Sequence, residues 1–135
     1  MKEVIGKNSL WKQNTKLGKK NTQNFVNIPF NVLIEQITYK AEEKGIQVII
    51  TEESYTSKAS FLDRDAIPVH NENSKEKPRF SGKRIKRGRI YQAGNGMLIN
   101  ADVNAAYNIL RKVVPNAFSE RDRGAVSVPQ SLIVA

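Results

Sequence analysis

Two short strings carry acidic residues at positions from which carboxylates could hold a metal ion. In the first, Glu52 and Glu53 directly follow the apolar run 46–50, and in the second, Asp102 stands at the start of a helical pattern. Carboxylates that converge from a strand end and a helix start form an all-oxygen magnesium site, the arrangement used for phosphodiester hydrolysis. Two carboxylates alone do not specify that chemistry, because acids at such ends are also commonly solvated or cap a helix.

The second string has the period of a helix. Its predicted packing face consists of Asp102, Ala105, Ala106, Ile109, Leu110 and Val113. Asn100 is the better candidate for the N-cap, and this leaves Asp102 to point toward whatever the alanine face packs against. A plain capping role for Asp102 is the alternative.

The elements before these strings predict an α/β fold. The run 46–50, IQVII, is short and β-branched and predicts a strand buried on both faces. A helix over 28–44, stopped by Gly45, precedes that strand. Its predicted buried face consists of Phe30, Leu33, Ile34, Ile37 and Ala41. Together they form an αβ unit of a mixed sheet, which presents either Glu52 or Glu53 across the strand end.

Positive charge is concentrated between the two acidic strings. The chain has a net charge of +9, and residues 75–89 contain eight basic side chains and one acid. Glycines break the segment 79–99 into short pieces, which predicts a basic β-hairpin or ribbon. The candidate nucleic-acid contacts are Lys83, Arg84, Lys86, Arg87, Arg89 and Tyr91, the last by stacking on a base. A solvated basic loop is the alternative.

The full residue sequences of the two strings, and their order along the chain, identify a protein family more specifically than the acidic residues alone. Tyr55 to Ser57 reads YTS, and Asp102 to Ile109 reads DVNAAYNI. Over roughly residues 4–118 the chain resembles the C-terminal part of the TnpB/OrfB transposon-encoded proteins, relatives of the type V CRISPR effectors. Those are RNA-guided DNA nucleases with a RuvC-like, ribonuclease H-like domain.

The resemblance implies a division of the chain and a chemistry. Residues 1–62 correspond to a RuvC-like segment, 63–98 to a ribbon-like insert, 99–114 to the final RuvC-like helix and 115–135 to a flexible tail. In the complete protein, Glu53 and Asp102 are the catalytic magnesium ligands of a two-metal DNA cleavage. The implied partners are DNA and a guide RNA, and the implied process is transposition.

The cysteine count departs from the family pattern. The usual ribbon holds zinc with four thiolates, whereas this chain has no cysteine and one histidine, His70. We therefore expect no zinc site. Asp63 and Asp65 stand where thiolates are expected, and we interpret them as turn or salt-bridge residues, as in a Cys-free branch of the family. His70 is expected in an exposed loop.

Two further departures concern the catalytic acids. Gly6 stands where the family usually has a catalytic Glu, and EESYTS resembles a rearranged form in which Glu53 replaces it. The first catalytic Asp of the family has no counterpart here, so we expect the chain to be part of a larger nuclease and inactive alone. The alternative is a non-catalytic nucleic-acid-binding relic or regulator, and a third option is an unstable product of a decayed gene.

Composition agrees with a soluble intracellular protein, and we expect a cytoplasmic, nucleoid-associated location in a bacterium. No apolar run approaches the length of a membrane span, and no secretory signal follows Met1. Two prolines and the lack of a sustained period predict a loosely packed tail from Pro115 onward, with Phe118 docked beside the last helix.

Overall fold

The computed structural model describes residues 1–7, 30–69 and 77–118. They belong to two units, residues 1–52 and residues 53–135. Both contain short strands and one helix, so the chain is a small α/β protein, as predicted. The boundary at 52/53 groups the YTS segment with the ribbon-like insert and the final helix. The expected position of His70 and the expected tail beyond residue 118 lie outside the described residues.

The first unit contains a parallel pair of strands and a helix. Strand β1 (Lys2–Lys7) pairs with β2 (Gln47–Glu52), from Lys2 opposite Gln47 to Lys7 opposite Glu52. Parallel pairing requires a crossover connection, and the described part of it is helix α1 (Phe30–Glu42). Gly45 has a φ of +69°, and the Ile46 amide donates to the carbonyl of Ala41 at 2.9 Å. The predicted glycine stop is confirmed.

Two expectations for this unit are wrong in detail. No residue of β2 is fully buried, and Ile50 is 51% exposed, although burial on both faces was predicted. The reason is that β1 is the only described strand beside β2, with α1 packed against it. On α1, Ala41 is buried and Phe30, Ile34 and Ile37 are half-buried as predicted, while Leu33 is 49% exposed.

The second unit contains a three-stranded antiparallel ribbon followed by a helix. The strands are β3 (Lys83–Ile85), β4 (Ile90–Gln92) and β5 (Leu98–Asn100), with β4 in the middle. Helix α2 (Ala101–Val113) follows β5 without a loop. The predicted ribbon between the two acidic strings is confirmed.

Aromatic rings form most of the core of the second unit. The buried cluster consists of Phe61, Leu62, Tyr91, Ala93, Ile99 and Ala101. Tyr107 stacks on Phe61 with ring centroids 4.8 Å apart, and Phe118 meets both rings edge-on. Such pairs add to the free energy of burial, and the predicted docking of Phe118 beside the last helix is confirmed.

No helix within residues 1–7, 30–69 and 77–118 is long and apolar enough to cross a membrane.

Candidate nucleic-acid interface and carboxylate positions

The first turn of α2 is capped by its predicted residue. The Oδ1 atom of Asn100 accepts hydrogen bonds from the amides of Asp102 at 2.9 Å and Val103 at 3.1 Å. Asp102 is therefore not needed as a cap. Its side chain is 95% exposed, and its carboxylate lies 3.6 Å from the guanidinium of Arg84. The first candidate ligand is thus presented to solvent on a capped, rigid turn.

The predicted packing face of α2 is wrong for two of its six residues, since Ala105, Ile109, Leu110 and Val113 are half-buried. The fully buried residues of the helix are Ala101, Asn104 and Asn108, whereas Asp102 and Ala106 are exposed. Two buried asparagines, rather than the apolar stripe, therefore set the rotation of the helix against the segment that precedes the ribbon.

These asparagines bind the backbone of the YTS segment and the turn after it. Asn104 accepts the amide of Phe61 at 2.9 Å and donates to the carbonyl of Ala59 at 2.8 Å. Asn108 donates to the carbonyls of Thr56 and Ala59 at 2.9 and 2.8 Å. Both side chains are completely buried, so each bond is made away from water. These four hydrogen bonds join the YTS segment and the turn after it to α2, and we call them the asparagine lock.

The same lock determines where Glu53 lies. The Glu53 carbonyl accepts hydrogen bonds from the amide and hydroxyl of Thr56, and Thr56 in turn is held by Asn108. Asn108 is six residues, about 9 Å of helix rise, beyond Asp102. The contacts therefore associate Glu53 with the C-terminal half of α2 and Asp102 with its first turn. The alternative ligand, Glu52, is the last residue of β2 in the first unit.

The described residues do not by themselves fit a magnesium centre. No group of three His, Cys, Asp or Glu side chains within them is arranged to hold a metal ion. A two-metal centre needs several carboxylates around ions about 4 Å apart, whereas Asp102 lies in the first turn of α2 and the Glu53 backbone is linked through Thr56 to the C-terminal half of that helix. The assignment of Glu53 and Asp102 as ligands stays a prediction.

The ribbon presents the basic side chains that the sequence singled out. Lys83, Lys86, Arg87 and Arg89 are exposed, and the side chain of Arg84 is 42% exposed. Residues 77–92 contain seven basic side chains and no acid. Because nothing within the segment neutralises it, the ribbon carries a positive field toward solvent.

The tip of the β3–β4 hairpin has an unusual backbone. Lys86 and Arg87 have φ values of +48° and +57°, and Gly88 has +82°. Left-handed backbone is unfavourable for long side chains, and turns of this kind normally use Asn, Asp or Gly. The two cations at the tip thus cost conformational energy, a pattern that is typical of functional sites. An open depression beside the tip is lined by Lys86, Arg87, Arg89 and Ile90.

The prediction that Tyr91 stacks on a base is wrong. Its ring has no exposed surface, and its hydroxyl donates to the carbonyl of Lys58 at 2.7 Å. Burial, together with the nearby charges of Asp65 and Asp63, raises the pKa of Tyr91 to about 12. The residue is an anchor of the ribbon, since β4 alternation turns it inward between Ile90 and Gln92.

Asn104 and Asn108 are the residues whose role the sequence reasoning missed. The sequence interpretation used them only to identify the DVNAAYNI motif and assigned them no structural role. The available signal was their spacing of four, which places two amides on one face of a helix. Beside them, burial lowers the pKa of Arg111, while Asp65 opposes that shift. The Arg111 guanidinium donates to the carbonyl of Asp65 at 2.7 Å.

Comparison with known proteins gives one family. The family model described as Cas12f1-like, TNB domain, matches residues 30–109, more than half of the 135 residues. The match spans α1, β2, the YTS segment, the ribbon and most of α2. No curated protein and no solved structure matches the chain.

Proposed function

Since the chain belongs to the Cas12f1-like TNB domain family, we propose that it binds nucleic acid through the basic residues 83–89 of the ribbon, in the β3–β4 hairpin. Membership makes it a relative of the TnpB and Cas12-type nucleases, whose partners in general are guide RNA and DNA. The observation that carries the proposal is the hairpin tip, where Lys86 and Arg87 occupy left-handed backbone and are exposed.

The chemistry of the ribbon favours phosphate contacts over base reading. Its exposed side chains are mainly cations, and the one aromatic residue of the strands, Tyr91, is buried. Contacts of this kind give affinity that depends on salt and little on sequence. In an RNA-guided protein, base pairing with the guide supplies the sequence specificity. The protein then needs only to hold the nucleic-acid backbone, which a basic ribbon can do.

Binding by the full chain to labelled single-stranded DNA and RNA, followed by fluorescence anisotropy, tests the proposal. The test variant replaces Lys86, Arg87 and Arg89 with Ala, and the matched control replaces Lys2, Lys40 and Lys44, which removes the same charge from the first unit. We expect the test variant to lose roughly tenfold or more in affinity and the control to lose much less. An equal loss in both variants would show that net charge, and not the ribbon, governs binding.

A second function, a contribution to metal-dependent DNA cleavage in a complete nuclease, is favoured by Asp102. Its carboxylate is neither a cap nor buried, and the described structure gives it a single ion-pair partner, Arg84. We propose that Asp102 supplies one magnesium ligand there, with Glu53 as another. The competing proposal, a non-catalytic binding protein or regulator, predicts nucleic-acid binding without any magnesium-dependent cleavage.

A further inference from the structure

The turn 60–65 is joined to the ribbon by two carboxylates. Asp65 accepts the amides of Ser60 at 2.8 Å and Ser81 at 2.9 Å through Oδ2, and the Ser81 hydroxyl at 2.5 Å through Oδ1. Asp63 accepts the amide of Gly94 at 2.7 Å. Asp65 therefore joins the turn to Ser81, two residues before β3, and Asp63 joins it to the loop between β4 and β5.

The turn itself is closed by short-range bonds. The Asp63 amide donates to the Ser60 hydroxyl at 3.2 Å, and the Asp65 amide donates to the Ser60 carbonyl at 3.1 Å. The Asp65 carbonyl then accepts the guanidinium of Arg111 on α2. Asp65 thus connects three elements of the second unit, namely the turn, the ribbon and the helix.

The donor set does not fit zinc. Zinc in a structural site prefers four thiolate or imidazole ligands, and the chain has no cysteine. The Asp65 carboxylate oxygens and Oδ2 of Asp63 already accept hydrogen bonds from N–H and O–H donors. Their lone pairs are therefore directed at these donors and not at a metal ion. The single histidine, His70, lies outside the described residues.

We propose that the ribbon of this chain folds without a metal ion, and that Asp63 and Asp65 make the links between its turns that a structural zinc makes in a thiolate ribbon. Hydrogen bonds to a carboxylate are roughly twice as strong as neutral ones, and the carboxylates of Asp63 and Asp65 accept three from backbone amides and one from the Ser81 hydroxyl. The two aspartates are positioning residues for the basic hairpin, because Ser81 stands two residues before β3.

Metal analysis of the wild-type full chain, expressed in zinc-supplemented medium, is the first test. We expect substoichiometric zinc, and a melting temperature that neither chelator nor added zinc changes. One zinc per chain, or a fall in melting temperature when chelator is added, would overturn the proposal.

The second test compares two carboxylate deletions that remove the same group. We expect Asp65→Ala to lower the melting temperature by roughly 10 °C, and Asp102→Ala, the exposed control, by much less. Equal melting temperatures for the two variants would contradict the role of Asp65. Should Asp65→Ala not fold, Asp63→Ala, which removes the acceptor of the Gly94 amide, supplies the same comparison with a smaller expected drop.

Amide hydrogen exchange distinguishes a local link from general destabilisation. Asp63→Ala is expected to speed exchange at Gly94 selectively, and Asp65→Ala to speed exchange at Ser60 and Ser81 selectively. Uniform acceleration across the ribbon, with no preference for the bonded amides, would refute the assigned links.

Discussion

Arg84 of the ribbon and Asp102 of the final helix face each other, with guanidinium Nη2 and carboxylate Oδ1 3.6 Å apart. The pair connects the proposed nucleic-acid surface with the predicted metal ligand. Because the side chains are 42% and 95% exposed, water and salt screen their attraction strongly. The pair therefore matters mainly for its position, since a phosphate bound by Arg84 would lie close to the Asp102 carboxylate.

Replacing Asp102 with Ala should leave the free energy of unfolding almost unchanged, because an exposed ion pair contributes at most about 1 kcal/mol. Nucleic-acid affinity should rise slightly, since a negative charge beside Arg84 is removed. Urea unfolding and anisotropy measure the two effects. In a complex that shows magnesium-dependent DNA cleavage, the same change should abolish cleavage and spare binding, and retained cleavage would reject Asp102 as a ligand.

Replacing Asn104 with Ala should destabilise the second unit by about 2–4 kcal/mol, because the buried amide of Phe61 loses its acceptor. Asn95→Ala is the matched control. Its side chain accepts only an exposed amide, that of Met97 at 3.0 Å, so its removal should cost less than about 1 kcal/mol. Urea unfolding curves measure both values, and similar losses for the two variants would contradict the proposed lock.

The stability of the second unit should fall at alkaline pH through Tyr91. Its folded pKa is about 12 against an ordinary value of 10.0, so the full contribution is present below pH 10. Above pH 10 the unfolded chain ionises first, and the contribution is lost by about pH 12, at most roughly 2–3 kcal/mol. Tyr91→Phe removes this loss, so its stability should decline less steeply than that of the wild type between these pH values.

A parallel decline of the two proteins with pH would show that Tyr91 is not the responsible group. At neutral pH, Tyr91→Phe should cost about 1 kcal/mol, because the bond to the Lys58 carbonyl is lost.

Gly82 should not tolerate a side chain. A Cβ at this position would lie 2.5 Å from Cε1 of Tyr91 and would also collide with the carbonyl of Gln92. Gly82→Ala should therefore cost more than about 2 kcal/mol through displacement of the ribbon. Gly88→Ala meets no atom within 4 Å and serves as control, with a smaller backbone cost from its φ of +82°. A stability of Gly82→Ala equal to that of the control would contradict this packing.

Local signals in the sequence were enough to predict much of the fold. The glycine stop at Gly45, the strand that follows it, the ribbon and the Asn100 cap depend on neighbouring residues. The rotation of α2 does not, because Asn104 and Asn108 bond to backbone groups more than 40 residues away. An apolar stripe was therefore given more weight than two asparagines whose partners cannot be recognised from local sequence.

The sequence predicted the basic character of the candidate site but not the orientation of each of its side chains. The basic residues of the ribbon are recognisable from composition, and the structure exposes them. Tyr91 was misassigned because an aromatic residue among cations is typical of base stacking, whereas its burial depends on the close approach of Gly82 and the core behind β4. The assignment of Glu53 and Asp102 as metal ligands depends on the family resemblance and stays a prediction.

The most direct test of the central claim is the salt dependence of single-stranded nucleic-acid binding by the full wild-type chain and by the variant lacking Lys86, Arg87 and Arg89. We predict a steep linear fall of log K with log salt for the wild type, and a slope smaller by roughly two for the variant, since three phosphate contacts are removed. A nearly flat dependence for the wild type, or equal slopes for the two proteins, would contradict binding through the ribbon.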